Sequence, residues 1–321
     1  VTVVLLVYVF YKAGVFSEGG RLELSQMLAD ASMPLILASL GVGVLILLSN
    51  SVKWYMLVRA SGFEISLWRI MAYCEVGKFF NLVLPTSIGG DVMRMQVLGQ
   101  FSGRHADAVA SVFVERFSGI VTLLALAMLA LVANFSTLNV PWLTSGLAVL
   151  AAAVVLLYVA IVDDRVFRQA RRLFEARSPI LQNLFGKAER VRDAVLAYKD
   201  NRRALVGAII NSLIFNFLVV VNVWVSALAF GSKIGFLTIL LLVPVVLFIM
   251  NLPISIGGLG LMEFALSFTF GLVGGSAQLA LSTALLIRAK NLLDAAAGGV
   301  LYAVLHQGWS IKEMLGSTTG E

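Results

Sequence analysis

The stretch Asn81-Leu-Val-Leu-Pro85-Thr-Ser-Ile-Gly-Gly90-Asp91-Val-Met-Arg94 follows a run apolar enough to enter a bilayer, yet it is broken by proline and a glycine pair. Its core, Pro85-Thr-Ser-Ile-Gly-Gly90, recurs as Pro253-Ile-Ser-Ile-Gly-Gly258. The lead-ins match as well, Phe79-Phe80-Asn81-Leu82 before the first copy and Met250-Asn251-Leu252 before the second. Five identical positions in six point to an internal duplication. Proline ends or kinks a helix and removes a donor, and paired glycines open dihedrals that other residues avoid. Each copy is therefore expected to be a broken or re-entrant helix, followed by a new helix N-terminus after Gly90 and after Gly258. Free N–H groups and the helix dipole at such a terminus suit an anion. Irregular backbone at membrane depth is tolerated only when buried in protein or lining a wet cavity. Tight helix packing through small residues is the plainer use of such glycines. Two copies, each followed by an ionisable residue (Arg94 and Glu263), weigh toward a substrate pathway.

The rest of the chain places these breaks in a membrane. Of 321 residues, 60% are hydrophobic and 13% charged, and the mean hydropathy is +0.94. Soluble domains carry about 25% charged residues, so a soluble globular protein is excluded, and so is disorder. At about 20 residues per span, this length allows about six to eight helices. Apolar runs lie at 1–16, 34–58, 109–133, 141–162, 204–230 and 236–250, with a further pair at 264–273 and 277–305. The expected fold is all-α and polytopic. It forms one transmembrane domain over residues 1–321, with repeat halves at 34–162 and 204–305. The chain opens inside an apolar run, so part of the first helix or its lead-in is expected upstream, and no cleavable signal pattern is visible.

The net charge is +6, and the segment 163–203 alone holds 11 of the 24 basic residues against six acids. A basic segment between apolar runs reads as cytoplasmic, which puts the N-terminus inside and the uncharged loop 134–140 outside. Val166, Phe167, Ala170, Leu173 and Phe174 have helical spacing, so part of this segment is expected on the inner membrane surface. Nucleic acid is not an expected partner, because the basic residues line no solvated domain. The single Cys74 excludes an intramolecular disulfide and a cysteine-rich metal or redox centre.

Ionisable residues inside apolar segments are costly and are functional candidates by default. Around the first break the ionisable candidates are Lys78, Asp91 and Arg94, with Asn81, Ser87, Gly89 and Gly90 as polar and backbone candidates; around the second the ionisable candidate is Glu263, with Asn251, Ser255, Gly257 and Gly258. Asp91 could instead cap a helix or pair with Arg94 at i,i+3. Arg94 leads the candidates for a lipid phosphate, because its guanidinium offers two parallel hydrogen bonds. Glu115 and Arg116 open the 109–133 run, point about 100° apart and are expected to bond different neighbours; snorkelling is the alternative for Arg116. Lys290 and Asp294, at i,i+4, are expected to neutralise each other. Arg288 has no local acid, so Glu263, Asp91 or an anionic ligand is its candidate partner. At least two of Asp91, Arg94, Glu263 and Arg288 are expected to face a shared polar cavity.

These same residues carry a resemblance. The stretch 81–94 resembles the signature of the flippase-like family named after the lysylphosphatidylglycerol synthase transmembrane domain. Glu115-Arg-Phe-Ser-Gly119 looks like its second motif and Leu252-Pro-Ile-Ser-Ile-Gly-Gly-Leu-Gly-Leu-Met-Glu263 its third; Lys53-Trp54 and Arg59-Ala-Ser-Gly62 also fit. The resemblance implies an integral protein of a bacterial or archaeal inner membrane that moves or handles lipids, with the cargo open. Aminoacylated phospholipid, hopanoid and polyprenyl-linked lipids are all within the family's range. Full-length synthases add a soluble transferase domain, whereas only residues 306–321 follow Leu305 here, so lipid aminoacylation is not expected of this chain. His105 and His306 are isolated, and no H-E-x-x-H or G-x-x-x-x-G-K-[ST] motif occurs. No enzyme activity, cofactor or metal is expected. Translocation of a lipid through a polar cavity between the halves is the reading. An intramembrane enzyme using Asp91 and Glu263 as acid and base, or a non-transporting partner of a lipid-synthesis enzyme, are the alternatives.

Overall fold

The computed structural model describes residues 2–84, 89–133, 141–165, 169, 179–250 and 255–305. Among the described residues every regular element is helical. In chain order these are α1 (Thr2–Lys12), α2 (Glu18–Ala29), α3 (Met33–Ala60), α4 (Leu67–Val83), α5 (Gly89–Ser102) and α6 (His105–Ala133). They continue with α7 (Pro141–Val162), α8 (Pro179–Leu196), α9 (Arg202–Leu228), α10 (Phe236–Met250), α11 (Leu261–Leu272) and α12 (Ala277–Leu305). Short 3-10 turns occupy Ala197–Asp200 and Ile256–Gly258. The helices α3, α9 and residues 105–129 of α6 are long and apolar enough to cross a membrane, and α1, α10 and α11 are shorter apolar helices. The 22 residues of α7 include no charged side chain. This is a polytopic all-α membrane protein, as the hydropathy requires.

α3 and α9 run antiparallel and mark the two ends of the bundle. At one end the Ser32 N–H donates to Ala229 O at 2.9 Å, and Gln278 of α12 bonds Glu23 of α2 at 3.0 Å. At the other, the Ser61 hydroxyl donates to the Tyr198 hydroxyl at 2.6 Å, while Tyr198 donates to Leu57 O at 3.0 Å. Two helical hairpins start from these opposite ends. α4 leaves the Ser61 end and α5 returns to it, so that Arg69 near the start of α4 stacks on Phe101 near the end of α5 (5.2 Å). α10 leaves the Ser32 end and α11 returns, bringing Gly275 against Ile234. At 1.5 Å per residue all four arms fall short of the ~30 Å hydrocarbon thickness.

The hairpin tips meet. A Cβ on Gly257 would lie 3.3 Å from Asn81 O and 3.7 Å from Leu82 Cα. The two copies of the repeated motif thus belong to oppositely directed hairpins in tip-to-tip contact, a direction the repeat itself leaves open. One core joins α9–α12 through Val223, Leu242, Val246, Met262, Leu266 and Phe270. A second joins α3–α6 through Trp54, Val58, Ile70, Leu98 and Val112. The outer faces are apolar too: Val206, Ile210, Ile214 and Phe217 of α9 are exposed, as a lipid solvent allows and water does not.

The predicted sites differ in detail from the observed backbone. Ser87 and Asn251 lie outside the described residues, as do Val166, Phe167, Ala170, Leu173 and Phe174 of the expected surface helix. The new helix of the first copy starts at Gly89 itself, whereas that of the second starts later, at Leu261. The glycines also act differently. Gly257 and Gly258 take positive φ (56° and 70°), as the motif suggests, whereas Gly89 and Gly90 do not. Gly90 is instead a point of close backbone approach, because a Cβ there would strike Gly77 O and lie 2.7 Å from Asn81 Cγ.

Candidate functional site

The first hairpin presents its ions to α3 and α6. Asn81 Oδ1 accepts the Gly90 N–H at 2.7 Å and so satisfies one of the free donors that open α5. Among the described residues Asp91, the third residue of α5, accepts no backbone N–H. Arg116 instead grips its carboxylate with Nε and Nη2, both at 2.7 Å, and Arg94 Nη1 approaches at 3.3 Å. Arg94 also donates to Glu115, and its guanidinium lies 4.0 Å from the centre of the Trp54 ring. Lys53 Nζ sits 3.9 Å from Glu115 Oε1. Lys53, Asp91, Arg94 and Glu115 are buried, whereas the Arg116 side chain is half-exposed (49%). Glu115 and Arg116 diverge to different partners, as adjacent helical residues must.

The second hairpin is tied to α12. Glu263, also the third residue of its helix, accepts the Gly260 N–H at 2.8 Å. Arg288 meets this carboxylate through Nε (3.0 Å) and Nη2 (3.1 Å). Its remaining donors reach the loop carbonyls of Gly257 (3.1 Å) and Gly258 (2.8 Å). The arginine therefore clamps a backbone held at positive φ, and Ser255 is buried just before it. Both hairpins are thus fastened to the following helix by an acid–arginine pair.

Where the tips meet there is a cavity of about 320 Å³, lined by Lys78, Asn81, Gly257, Gly258, Arg288, Asn291 and Asp294 among others. Lys78 bridges Glu75 and Asp294 at 2.7 Å each. Asp294 is partly exposed (44%) and Lys78 less so (32%). A second cavity of about 410 Å³ runs between α3, α9 and α10 and is walled largely by apolar groups such as Leu40, Val44, Leu47, Val219 and Val246. The two cavities share Ile46, Met250, Asn291 and Asp294, so the chamber that holds the charged side chains adjoins the apolar groove.

Residues 1–298 match the family described as the lysylphosphatidylglycerol synthase TM region. The chain belongs to this family. Membership implies a lipid-related membrane function. A UPF0104 membrane protein of Pyrococcus horikoshii is similar, 21% identical over 296 residues that cover 86% of this chain and 88% of that protein. No solved structure matches the chain.

Two expectations from the sequence are corrected in this family member. At least two of Asp91, Arg94, Glu263 and Arg288 were expected in one polar cavity; among the described residues that line the tip cavity Arg288 is the one of the four present, and Asp91 and Arg94 belong to the separate α3–α5–α6 cluster. Lys290 does not neutralise Asp294. Asp294 pairs with Lys78, while Lys290 donates to Asn222 Oδ1 and, at 3.0 Å, to Ser226 Oγ. Sequence reasoning left Lys53, Trp54, Asn222 and Ser226 out of the site. Asn222 and Ser226 did carry a signal, two polar residues at i,i+4 within an apolar span.

Proposed function

We propose that this protein carries a lipid headgroup between leaflets through the tip cavity, with acyl chains in the adjoining groove. The observation that carries this reading is the adjacency of the two spaces, charged side chains at the hairpin tips and an apolar groove beside α3 with four lining residues in common, an order that matches the headgroup and chains of a lipid. A phosphate in the chamber can exchange with the partly exposed Asp294 as partner of Lys78, and Asn81 and Asn291 offer amide donors to it. The hairpins are then re-entrant elements entering an inner membrane from both faces, with the basic 163–203 segment on the cytoplasmic side. The cargo class is an anionic or headgroup-modified phospholipid, or a polyprenyl- or hopanoid-type lipid, and a lipid-synthesis enzyme is the fitting partner to supply it. No bond-making step is assigned to the cavity.

The test is a liposome assay that follows a fluorescent anionic lipid between leaflets with an impermeant quencher. Protein-containing vesicles are expected to equilibrate the probe faster than empty ones. Asn291→Leu and Lys78→Gln, each with an unchanged melting temperature, are expected to slow this at least tenfold. Exchange by the native protein no faster than in empty vesicles would overturn the reading.

A further inference from the structure

We infer that the Ser61 end of the bundle carries a second site, separate from the tip cavity, that binds a phosphate-bearing anion. A cavity of about 550 Å³ lies there between the α5–α6 turn and α8. Arg104 and His105 enter it from the turn, and Lys187 and Arg190 from α8. Lys187 and Arg190 are i,i+3 and share one helix face. Their only facing acid in the lining is Asp107, which Arg104 Nε already engages at 2.8 Å. Neither Lys187 nor Arg190 has an ion pair among the described residues. Three permanent cations thus surround one committed carboxylate, and like charges held this close favour an anion between them.

The surroundings point to the class of anion. The guanidinium of Arg104 is held over Phe63 at 4.8 Å, so the fork is positioned in advance, and forked donors suit phosphate oxygens. Val109 and Val191 supply an apolar wall, which a free inorganic ion does not need and the glycerol end of a lipid does. The site lies at the end of the membrane-length helices α3, α6 and α9, where a bilayer matched to their apolar length would have its headgroups. Basic pockets at that level are suited to anionic headgroups, each cation contributing about 1 kcal/mol. A soluble phosphate would present the same chemistry, and experiment separates the two sources.

The experiment uses the full chain in nanodiscs, with native mass spectrometry counting retained phosphatidylglycerol against phosphatidylcholine. Lys187→Ala with Arg190→Ala is expected to lose one tightly held phosphatidylglycerol and to weaken its binding about thirtyfold. Arg202→Ala with Arg203→Ala removes the same charge from the same end, outside the cavity, and is expected to leave that lipid bound. If 10 mM inorganic phosphate displaces that lipid from the native protein and from the Arg202→Ala, Arg203→Ala variant, the site takes soluble phosphate as well. Identical phosphatidylglycerol retention by both double variants, with phosphate without effect, would overturn the proposal. Because these residues do not line the tip cavity, a negative result here leaves the translocation reading standing, and the reverse holds too.

Discussion

Arg94 shows how one residue's role shifts once its neighbours are known. From sequence, its fork and its place one turn into a new helix suited a ligand phosphate. In the folded protein Glu115, Asp91 and the face of Trp54 occupy the guanidinium. Removing one partner of a buried ion pair typically costs about 3–5 kcal/mol, because the other charge is stranded. Arg94→Met is expected to destabilise by that much, since among the described residues Glu115 would keep Lys53 alone as a cation partner, at 3.9 Å. Adding Glu115→Leu is expected to cost far less than a second equal step, with a coupling of at least about 1 kcal/mol. Denaturation in mild detergent of both single variants and the double variant measures this, and additive losses would show that the two side chains do not depend on each other. Arg116→Ala is expected to cost less than Arg94→Met, because its own side chain is half-exposed and the buried Asp91 would keep Arg94 at 3.3 Å. The Asp91–Arg94 pair was legible from i,i+3 spacing alone. Glu115, Lys53 and Trp54 were not legible as its partners, because spacing reports neighbours within one helix and these come from α6 and α3.

At the scale of elements, the two motif copies share letters but not backbone. Gly257 needs its positive φ, whereas Gly90 needs the missing Cβ so that α5 can lie against Gly77 of α4. Gly90→Ala is therefore expected to force α4 and α5 apart and lower the melting temperature by several degrees, a loss of about 1–3 kcal/mol. Gly146 of α7 is the contrast, with open space where a Cβ would go. Gly146→Ala is expected to leave stability unchanged or raise it by up to about 1 kcal/mol, the helix propensity difference. Equal effects at the two positions would refute the close-approach argument. Hydropathy located the long helices well, because a lipid-facing helix is apolar nearly all round. It could not resolve residues 65–88, where Arg69, Glu75 and Lys78 dilute the signal, since α4 is a hairpin arm packed between α5 and α12. Nor could it show that the arms at 236–250 and 264–273 form one hairpin, because depth in a bundle leaves no periodicity in the sequence.

For the whole molecule, the contact of Gly257 with Asn81 and Leu82 means that two half-length hairpins meet from opposite ends. Gly257 lies against Asn81 and Leu82, and on the re-entrant reading proposed above such a contact between the tips meets the condition for non-helical chain at membrane depth. It also puts the polar chamber where neither hairpin alone could enclose it, with α12 contributing Arg288, Asn291 and Asp294 along one side. The arrangement has a topological consequence that can be measured. If α4–α5 and α10–α11 both turn back, the residues flanking each hairpin must share a side, and the two hairpins must take opposite sides. With the buried Cys74 replaced by alanine, Glu64→Cys and Ser102→Cys are expected to react with an impermeant maleimide from one face of oriented vesicles only. Lys233→Cys and Ser276→Cys are expected to react only from the other face. The positive-inside rule further assigns the Glu64 and Ser102 face to the cytoplasm, so intact cells should protect those two sites and expose the other pair. Labelling of Glu64→Cys and Ser102→Cys from opposite faces would make α4–α5 cross the membrane between them. The tips could not then meet from opposite sides, and the enclosed chamber on which translocation depends would lose its floor.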